Sequence, residues 1–504
     1  MKSNNYPPLS ISSKFITAIS WTTLASLIAR SFGLITSVFI ARSLGSNLLG
    51  LYTIILSTLG LFSTFLSFGL GLTGSKLVAQ YYINDPKKTG KVITLLLLAL
   101  IISILFGAVI YWLLVPFVSN RVYRIPELLS ILKLSLPWLV LMCVNQFLEP
   151  VLAGLQGFKP LMLTSSVYSI LNLPLILVGL FLGGANILKA LIIVGSIGAA
   201  IQLLLLLWAV YLESKKFGIE LSFKELSPLI RPVFFDFSLP AFIGKIMEQP
   251  LSWLSIFLLV KFTGNPSYVG GLTIITTIRT WILYFPNLLA STLIPILTDI
   301  YHTRESGDFN RTLILNQRFL WFVTFPFVVL VLAVIRPTIA IFFGNSYEVF
   351  WFSGAVFLFW TILLPINEVN DKAMVAMNKM WLSLSFRIIY LILLVIGLLL
   401  LIPKFNLNGY VIAYGLSYFI YVAVQTMWLK KITQEHISSF FPLTVFSCFT
   451  LTISFFVAYF CSINKAIVSG SIIFFIVLVI EWVYLIKAEE KTLLASILKR
   501  YLKR

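Results

Sequence analysis

Apolar runs of about 20 residues, parted by short polar turns, follow one another from residue 16 to residue 487. A bilayer core about 30 Å thick is crossed by about 20 helical residues, whereas a barrel strand needs about 10 and alternates apolar with polar. Continuous runs therefore predict helices, which satisfy their own backbone hydrogen bonds where lipid supplies no partner. With 59% hydrophobic and 11% charged residues among 504, and a mean hydropathy of +0.99, the chain has more apolar surface than a water-soluble fold can hide. The expected fold is an all-α polytopic membrane protein of about 14 transmembrane helices.

The runs are not independent of one another. Arg42-Ser43-Leu44-Gly45, with Gly50-Leu51-Tyr52-Thr53-Ile54-Ile55 after it, recurs as Lys261-Phe262-Thr263-Gly264 and Gly270-Gly271-Leu272-Thr273-Ile274-Ile275, the second block at an offset of 220. Glu149 and Asn186 recur as Asp371 and Asn408, both at an offset of 222. A nearly constant offset over this length indicates an internal duplication. It divides the chain into an N-lobe (1–212, spans 1 to 6), a cytoplasmic inter-lobe loop (213–232), a C-lobe (233–431, spans 7 to 12), a helix pair 13 and 14 (432–487) and a basic tail (488–504). Six spans per copy make both copies enter the membrane in the same direction. Two pseudo-symmetric lobes related by an axis along the membrane normal, with a cavity between them, are the expected result.

Charge sets the orientation. Lys76, Lys87, Lys88 and Lys91, then Lys215, Lys216, Lys224 and Arg231, then the tail from Lys487 to Arg504, cluster on one side of the membrane; the other side has scattered charges such as Arg121, Arg124 and Lys133. The positive-inside rule makes the clustered side cytoplasmic and places both termini there. The net charge of +19 is then attraction to anionic inner-leaflet lipid, and its dispersal between spans argues against nucleic-acid binding. The polar opening MKSNNYPPLS leads into a full-length span, so the first helix is expected to serve as its own anchor. Cys143, Cys448 and Cys461 show no metal or disulfide spacing and read as buried free thiols. Prolines within spans, Pro150, Pro174, Pro326 and Pro365 among them, are expected to bend their helices.

Three local sequences add a family resemblance. ARSLGSNLLGLY (Ala41 to Tyr52), LAGLQGFK (Leu152 to Lys159) and GGANILKA (Gly183 to Ala190) resemble the bacterial polysaccharide exporters, the lipid-linked oligosaccharide flippases of the multidrug/oligosaccharidyl-lipid/polysaccharide (MOP) exporter superfamily. The resemblance implies a multi-pass protein of the bacterial inner membrane that moves a prenyl-pyrophosphate-linked oligosaccharide from the inner to the outer leaflet by alternating access. It also implies that helices 13 and 14 form a groove for the prenyl tail. The partners it implies are the glycan substrate, membrane lipids and the polysaccharide polymerase machinery, with the transporter acting as a monomer. A cation-coupled drug or small-solute antiporter of the same superfamily and a peptidoglycan-precursor flippase are the alternatives. No nucleotide, metal or nucleophile motif is evident, so the expectation is a non-enzyme without cofactor, its energy drawn from an ion gradient with H+ or Na+ as the coupling ion, from the membrane potential or from removal of product.

Ionisable side chains inside the spans are the candidate site, because a charge at the bilayer centre costs about 3 kcal/mol or more unless it meets water or a partner. Arg30, Lys245, Glu248 and Arg279 fall near mid-membrane and are the candidate substrate-binding residues. Arg30 and Arg279 are the expected pyrophosphate ligands, since guanidinium forks match phosphate oxygens and stay charged. Lys245 with Glu248, and Glu368 with Lys372, are spaced to pair along a helix face; the same spacing offers no such pairing to Arg30, Arg279, Glu149 and Asp371. Glu149, Asp371 and Glu368 are the candidate ion-coupling residues, because a carboxylate in a low-dielectric site exchanges protons or cations readily. Arg387 is expected merely to reach the headgroups, and Trp253, Trp281 and Trp360 lie deep enough to offer stacking faces to sugar rings.

Overall fold

The computed structural model describes residues 11–224, 226–239, 242, 248–284, 286–287, 297, 306–433 and 441–486. Among them every regular element is helical. Eight helices are long and apolar enough to cross a membrane. Three of the eight are interrupted: Leu27–Ser67 at Gly45, Phe158–Lys216 at Gly184, and Met380–Lys431 at Asn406. Each of these supplies two spans, which makes eleven among the described residues, with Val445–Phe460 a shorter apolar helix; Glu248–Thr263 and Ser267–Ile282 are helical where spans 7 and 8 are expected.

The backbone breaks follow the duplication. Positive φ occurs at Gly45 (68°) and Gly264 (65°), at Arg124 (58°) and Gly344 (103°), at Gln156 and Asn378 (both 57°), and at Gly184 (46°) and Asn406 (52°). Read from their numbers, the four pairs have offsets of 219, 220, 222 and 222, the spacing of the sequence repeat. At Gly184 and Asn406 even ψ agrees, at −127°. Positive φ is sparsely populated by residues with a Cβ, so its return at matched positions marks a shared hairpin geometry that outlasted the change of side chain. The breaks do not fall at the prolines named above: the helices run on through Pro150, Pro174 and Pro326.

The chain forms two compact units, Met1–Gly270 and Gly271–Arg504. Inside the first, the repeated motifs meet. A Cβ on Gly50 would lie 1.9 Å from the Pro266 carbonyl oxygen, and one on Gly270 would lie 2.0 Å from the Ser46 carbonyl oxygen. Pro266 and Gly270 are the repeat counterparts of Ser46 and Gly50, at the offset of 220, so the contact is reciprocal. The inter-lobe segment is bolted to the same unit. Ser222 N donates to Thr94 Oγ1 at 3.1 Å, Phe217 meets Tyr82 edge to face, and the Glu220 carbonyl lies over Gly90.

In the second unit, one apolar cluster gathers Leu320, Val369, Met374 and Leu429. A second is built on Tyr418, Tyr421 and Val422, with Tyr390, Tyr414 and Phe386 against it. Arg318, buried on the helix Ser306–Ala333, donates to the Leu485 carbonyl at 2.7 Å and ties down the end of the last described helix. Cys143 is buried as expected, but Cys448 is exposed and Cys461 half-buried. The tail 488–504, His302 and His436 lie outside the described residues.

Candidate functional site

Asp371 sits on the helix Leu363–Ala376 and is not isolated, contrary to the expectation from sequence. Five side chains donate to its carboxylate. Gln425 Nε2 approaches Oδ1 at 2.9 Å, Ser383 Oγ at 3.1 Å and Tyr421 OH at 3.3 Å; Asn367 Nδ2 and Arg387 Nη2 approach Oδ2 at 3.3 and 3.4 Å. Arg387 therefore makes an ion pair where a reach to the headgroups was expected. The sequence carried a usable signal: Arg387 follows Asp371 across a hairpin turn at Asn378, which folds the two helices face to face. A further polar chain runs alongside, from Gln317 Nε2 to Asn370 Oδ1 (2.6 Å) and from Asn370 Nδ2 to Thr426 Oγ1 (3.1 Å).

The other copy keeps the carboxylate but few of its donors: at the offset of 222, Ser383, Tyr421 and Gln425 correspond to Leu161, Ala199 and Leu203. Glu149 is half-buried on the helix Leu136–Gly154, with Ser165 and Tyr168 beside it. At the offset of 222, Glu149, Ser165 and Tyr168 match Asp371, Arg387 and Tyr390. The position that supplies a guanidinium in the second copy supplies a hydroxyl in the first. Asn145, the counterpart of Asn367, donates to the Ala199 carbonyl at 2.9 Å.

Arg279 lies on the helix Ser267–Ile282, half-buried among aromatic rings. Its Nη1 donates to Tyr414 OH at 2.8 Å, and its guanidinium carbon lies 4.4 Å from the Phe357 ring centroid and 5.2 Å from that of Tyr414. Among the described residues no carboxylate pairs with it. Aromatic faces hold a cation without neutralising it, so these neighbours leave the charge of Arg279 uncancelled. Arg30 is exposed on the first helix. Lys245 lies outside the described residues, as does the side chain of Glu248. Glu368 and Lys372 form the expected pair at 3.7 Å.

The deep tryptophans are engaged by protein. Trp253 stacks on Phe257 and donates to Thr58 Oγ1 at 3.2 Å, Trp281 stacks on Phe343, and Trp360 meets Phe359 edge to face against Gly415. Among the described residues no group of three or more His, Cys, Asp or Glu is placed to hold a metal ion. What surrounds Asp371 is a shell of hydrogen-bond donors. Asn367 Oδ1 and Gln425 Oε1, on two of the amides that donate to it, are buried without a partner. Turned inward, they would join the carboxylate in a site suited to an alkali cation and not to a transition metal.

Solved structures share this fold. A lipid II flippase MurJ in an inward closed conformation is 17% identical, with 96% of this chain and 99% of that one covered and a TM-score of 0.69. An inward-facing multidrug-resistance MATE family transporter of the MOP superfamily is 15% identical, covering 83% and 98%, with a TM-score of 0.65. A MOP superfamily transporter from Pyrococcus furiosus is 14% identical, covering 83% and 95%, with a TM-score of 0.58. No curated protein matches the chain in sequence. The chain has the fold of these structures, and its apolar helices make it a multi-pass membrane protein. Residues 16–301, more than half the chain, match the polysaccharide biosynthesis protein family, and the chain belongs to that family.

Proposed function

We propose that this protein flips a prenyl-pyrophosphate-linked oligosaccharide from the inner to the outer leaflet of the bacterial inner membrane, for cell-surface polysaccharide assembly, without chemical change to the substrate. The observation that carries the reading is Arg279, half-buried within a membrane span and held by Tyr414 and Phe357 with no carboxylate beside it among the described residues. An uncompensated guanidinium within a membrane is costly unless it meets an anion, and pyrophosphate is the anion that a lipid-linked glycan brings. Membership of the polysaccharide biosynthesis family supports the glycan. Arg30 is the second basic residue assigned to the substrate. Glu149 and Asp371, matched by the duplication, are the carboxylates assigned to the coupling H+ or Na+.

In this reading both termini are cytoplasmic and the glycan lipid enters from that side. The test is the leaflet distribution of radiolabelled prenyl-pyrophosphate glycan in cells with and without the protein, read by a non-permeant enzyme that attacks only the outer leaflet. Loss of the protein, or Arg279→Ala and Arg30→Ala in an inserted protein, leaves the glycan protected. Wild-type accessibility with both arginines replaced overturns the site assignment. Unchanged accessibility without the protein, in cells lacking other flippases, favours the cation-coupled antiporter.

A further inference from the structure

Arg279 and Asp371 are both attached to one face of a single helix. After the break at Asn406 (φ 52°, ψ −127°) the chain runs helically to Thr433. Tyr414, Tyr418, Tyr421 and Gln425 follow at spacings of four, three and four, the repeat of one helix face. The first end of the stripe holds the arginine, through Tyr414 OH at 2.8 Å from Arg279 Nη1. The far end holds the carboxylate, through Tyr421 OH at 3.3 Å and Gln425 Nε2 at 2.9 Å from Asp371 Oδ1.

Between the ends the rings are in unbroken contact. Tyr414 stacks on Tyr418 with centroids 5.7 Å apart and planes 7° apart. Tyr418 meets Tyr421 at 5.9 Å, and Tyr390, from the preceding helix, packs on both at 5.7 and 5.3 Å. Tyr418, Tyr421 and Gln425 are buried, so no ring can turn without its neighbour. From Tyr414 to Gln425 the stripe spans about 16 Å at about 1.5 Å per residue.

We propose that Tyr414 and Tyr421 are positioning residues that couple the charge state of Asp371 to the anion affinity of Arg279, with the helix 407–433 as the element that both sites bias. The proposal rests on the assignment of Arg279 to the substrate pyrophosphate. A cation at Asp371 needs the Asn367 and Gln425 oxygens turned inward, which removes the Gln425 donor and competes with Tyr421 OH and Arg387. The far end of the stripe is then released while the near end still grips Arg279. In the proposed coupling the helix pivots about the break at Asn406, which shifts the Tyr414 hydroxyl against the guanidinium. Linkage makes the effect reciprocal: an anion at Arg279 must alter cation affinity at Asp371 by the same factor. A chain of contacts alone does not establish coupling; a shared two-state element, tested by a mutant cycle, does.

The experiment is a double-mutant cycle on the purified full-length protein in lipid nanodiscs, titrated with inorganic pyrophosphate at fixed ionic strength. Asp371→Asn is expected to change the pyrophosphate Kd by about five-fold or more. In the Tyr421→Phe/Gln425→Leu background, which keeps the ring and removes both links from this helix to the carboxylate, the same replacement is expected to change it less than about two-fold, a loss of the coupling at the low end of its usual range. A direct electrostatic effect of Asp371, or general damage to the fold, would persist in both backgrounds, and equal changes overturn the proposal. No change from Asp371→Asn, with Arg279→Gln abolishing binding, also overturns it and leaves the arginine assignment standing. Wild-type affinity in Arg279→Gln overturns both.

Discussion

The reciprocal contact of Gly50 and Gly270 makes a quantitative demand on the fold. A methyl group at either position would meet a backbone carbonyl oxygen at 1.9 Å for Gly50 and 2.0 Å for Gly270, where ordinary contact begins at 3.4 Å. The obstructing atoms are backbone, so no rotamer change relieves the clash, and the two helices must part until the methyl clears the oxygen. Leu49, Ile54 and Val269 are buried around the crossing and lose contact as it opens. Overpacking of this kind costs about 3 kcal/mol. Alanine in place of glycine within a helix returns about 1 kcal/mol of propensity. The net expectation is about 2 kcal/mol of destabilisation for Gly50→Ala and the same for Gly270→Ala, because the two environments are copies. The double variant is expected to be little worse than either single one, since a crossing opened for one methyl already has room for the other. Thermal denaturation of the full-length protein in detergent, compared across wild type, both singles and the double, measures this. Singles as stable as wild type, or a double that loses the full sum, would refute the reciprocal packing.

Four further outcomes follow from the same geometry. Arg279→Lys keeps the charge but loses the planar face against Phe357 and Tyr414, and is expected to lower glycan flipping at least ten-fold in the leaflet assay without altering expression. Asp371→Ala takes from Gln425, Ser383, Tyr421, Asn367 and Arg387 the carboxylate they donate to, at a cost of about 2 kcal/mol after discounting the partly exposed Arg387; restored stability in Asp371→Ala/Arg387→Met, read as thermal midpoint, would show that loss of the counter-charge to Arg387 is the main penalty. Glu368→Gln removes a partly exposed helix pair and is expected to change stability by less than about 0.5 kcal/mol, checked in the same denaturation series. Gly90→Val drives a side chain into the Glu220 carbonyl and is expected to free the inter-lobe segment; faster limited proteolysis between residues 213 and 232 is the readout, and an unchanged rate would show the segment is held elsewhere.

The class of fold was legible because apolar run length is a one-dimensional property, and so was the duplication, because Gly45 and Gly264 sit in matched motifs. Legible too were the turns at Gly184 and Asn406, which fall where the apolar runs part. Less legible was what meets across a turn. The Asp371–Arg387 pair was missed because the pairing crosses a turn, and a local scan for partners three or four residues away does not look across one. Arg279 shows the reverse case. Its importance could be read from its place in an apolar run, but Tyr414, whose hydroxyl holds it, comes from a helix far along the chain. Comparing the copies exposes what a single copy conceals. Both keep the positive-φ turn, the carboxylate and the tyrosine that follows it; one has Ser165 where the other has Arg387. The replacements go beyond that one: Leu161, Ala199 and Leu203 stand where the second copy has Ser383, Tyr421 and Gln425. The duplicated carboxylates are therefore electrically unlike, because Asp371 has an internal counter-charge and a shell of donors while Glu149 has the hydroxyls of Ser165 and Tyr168 beside it.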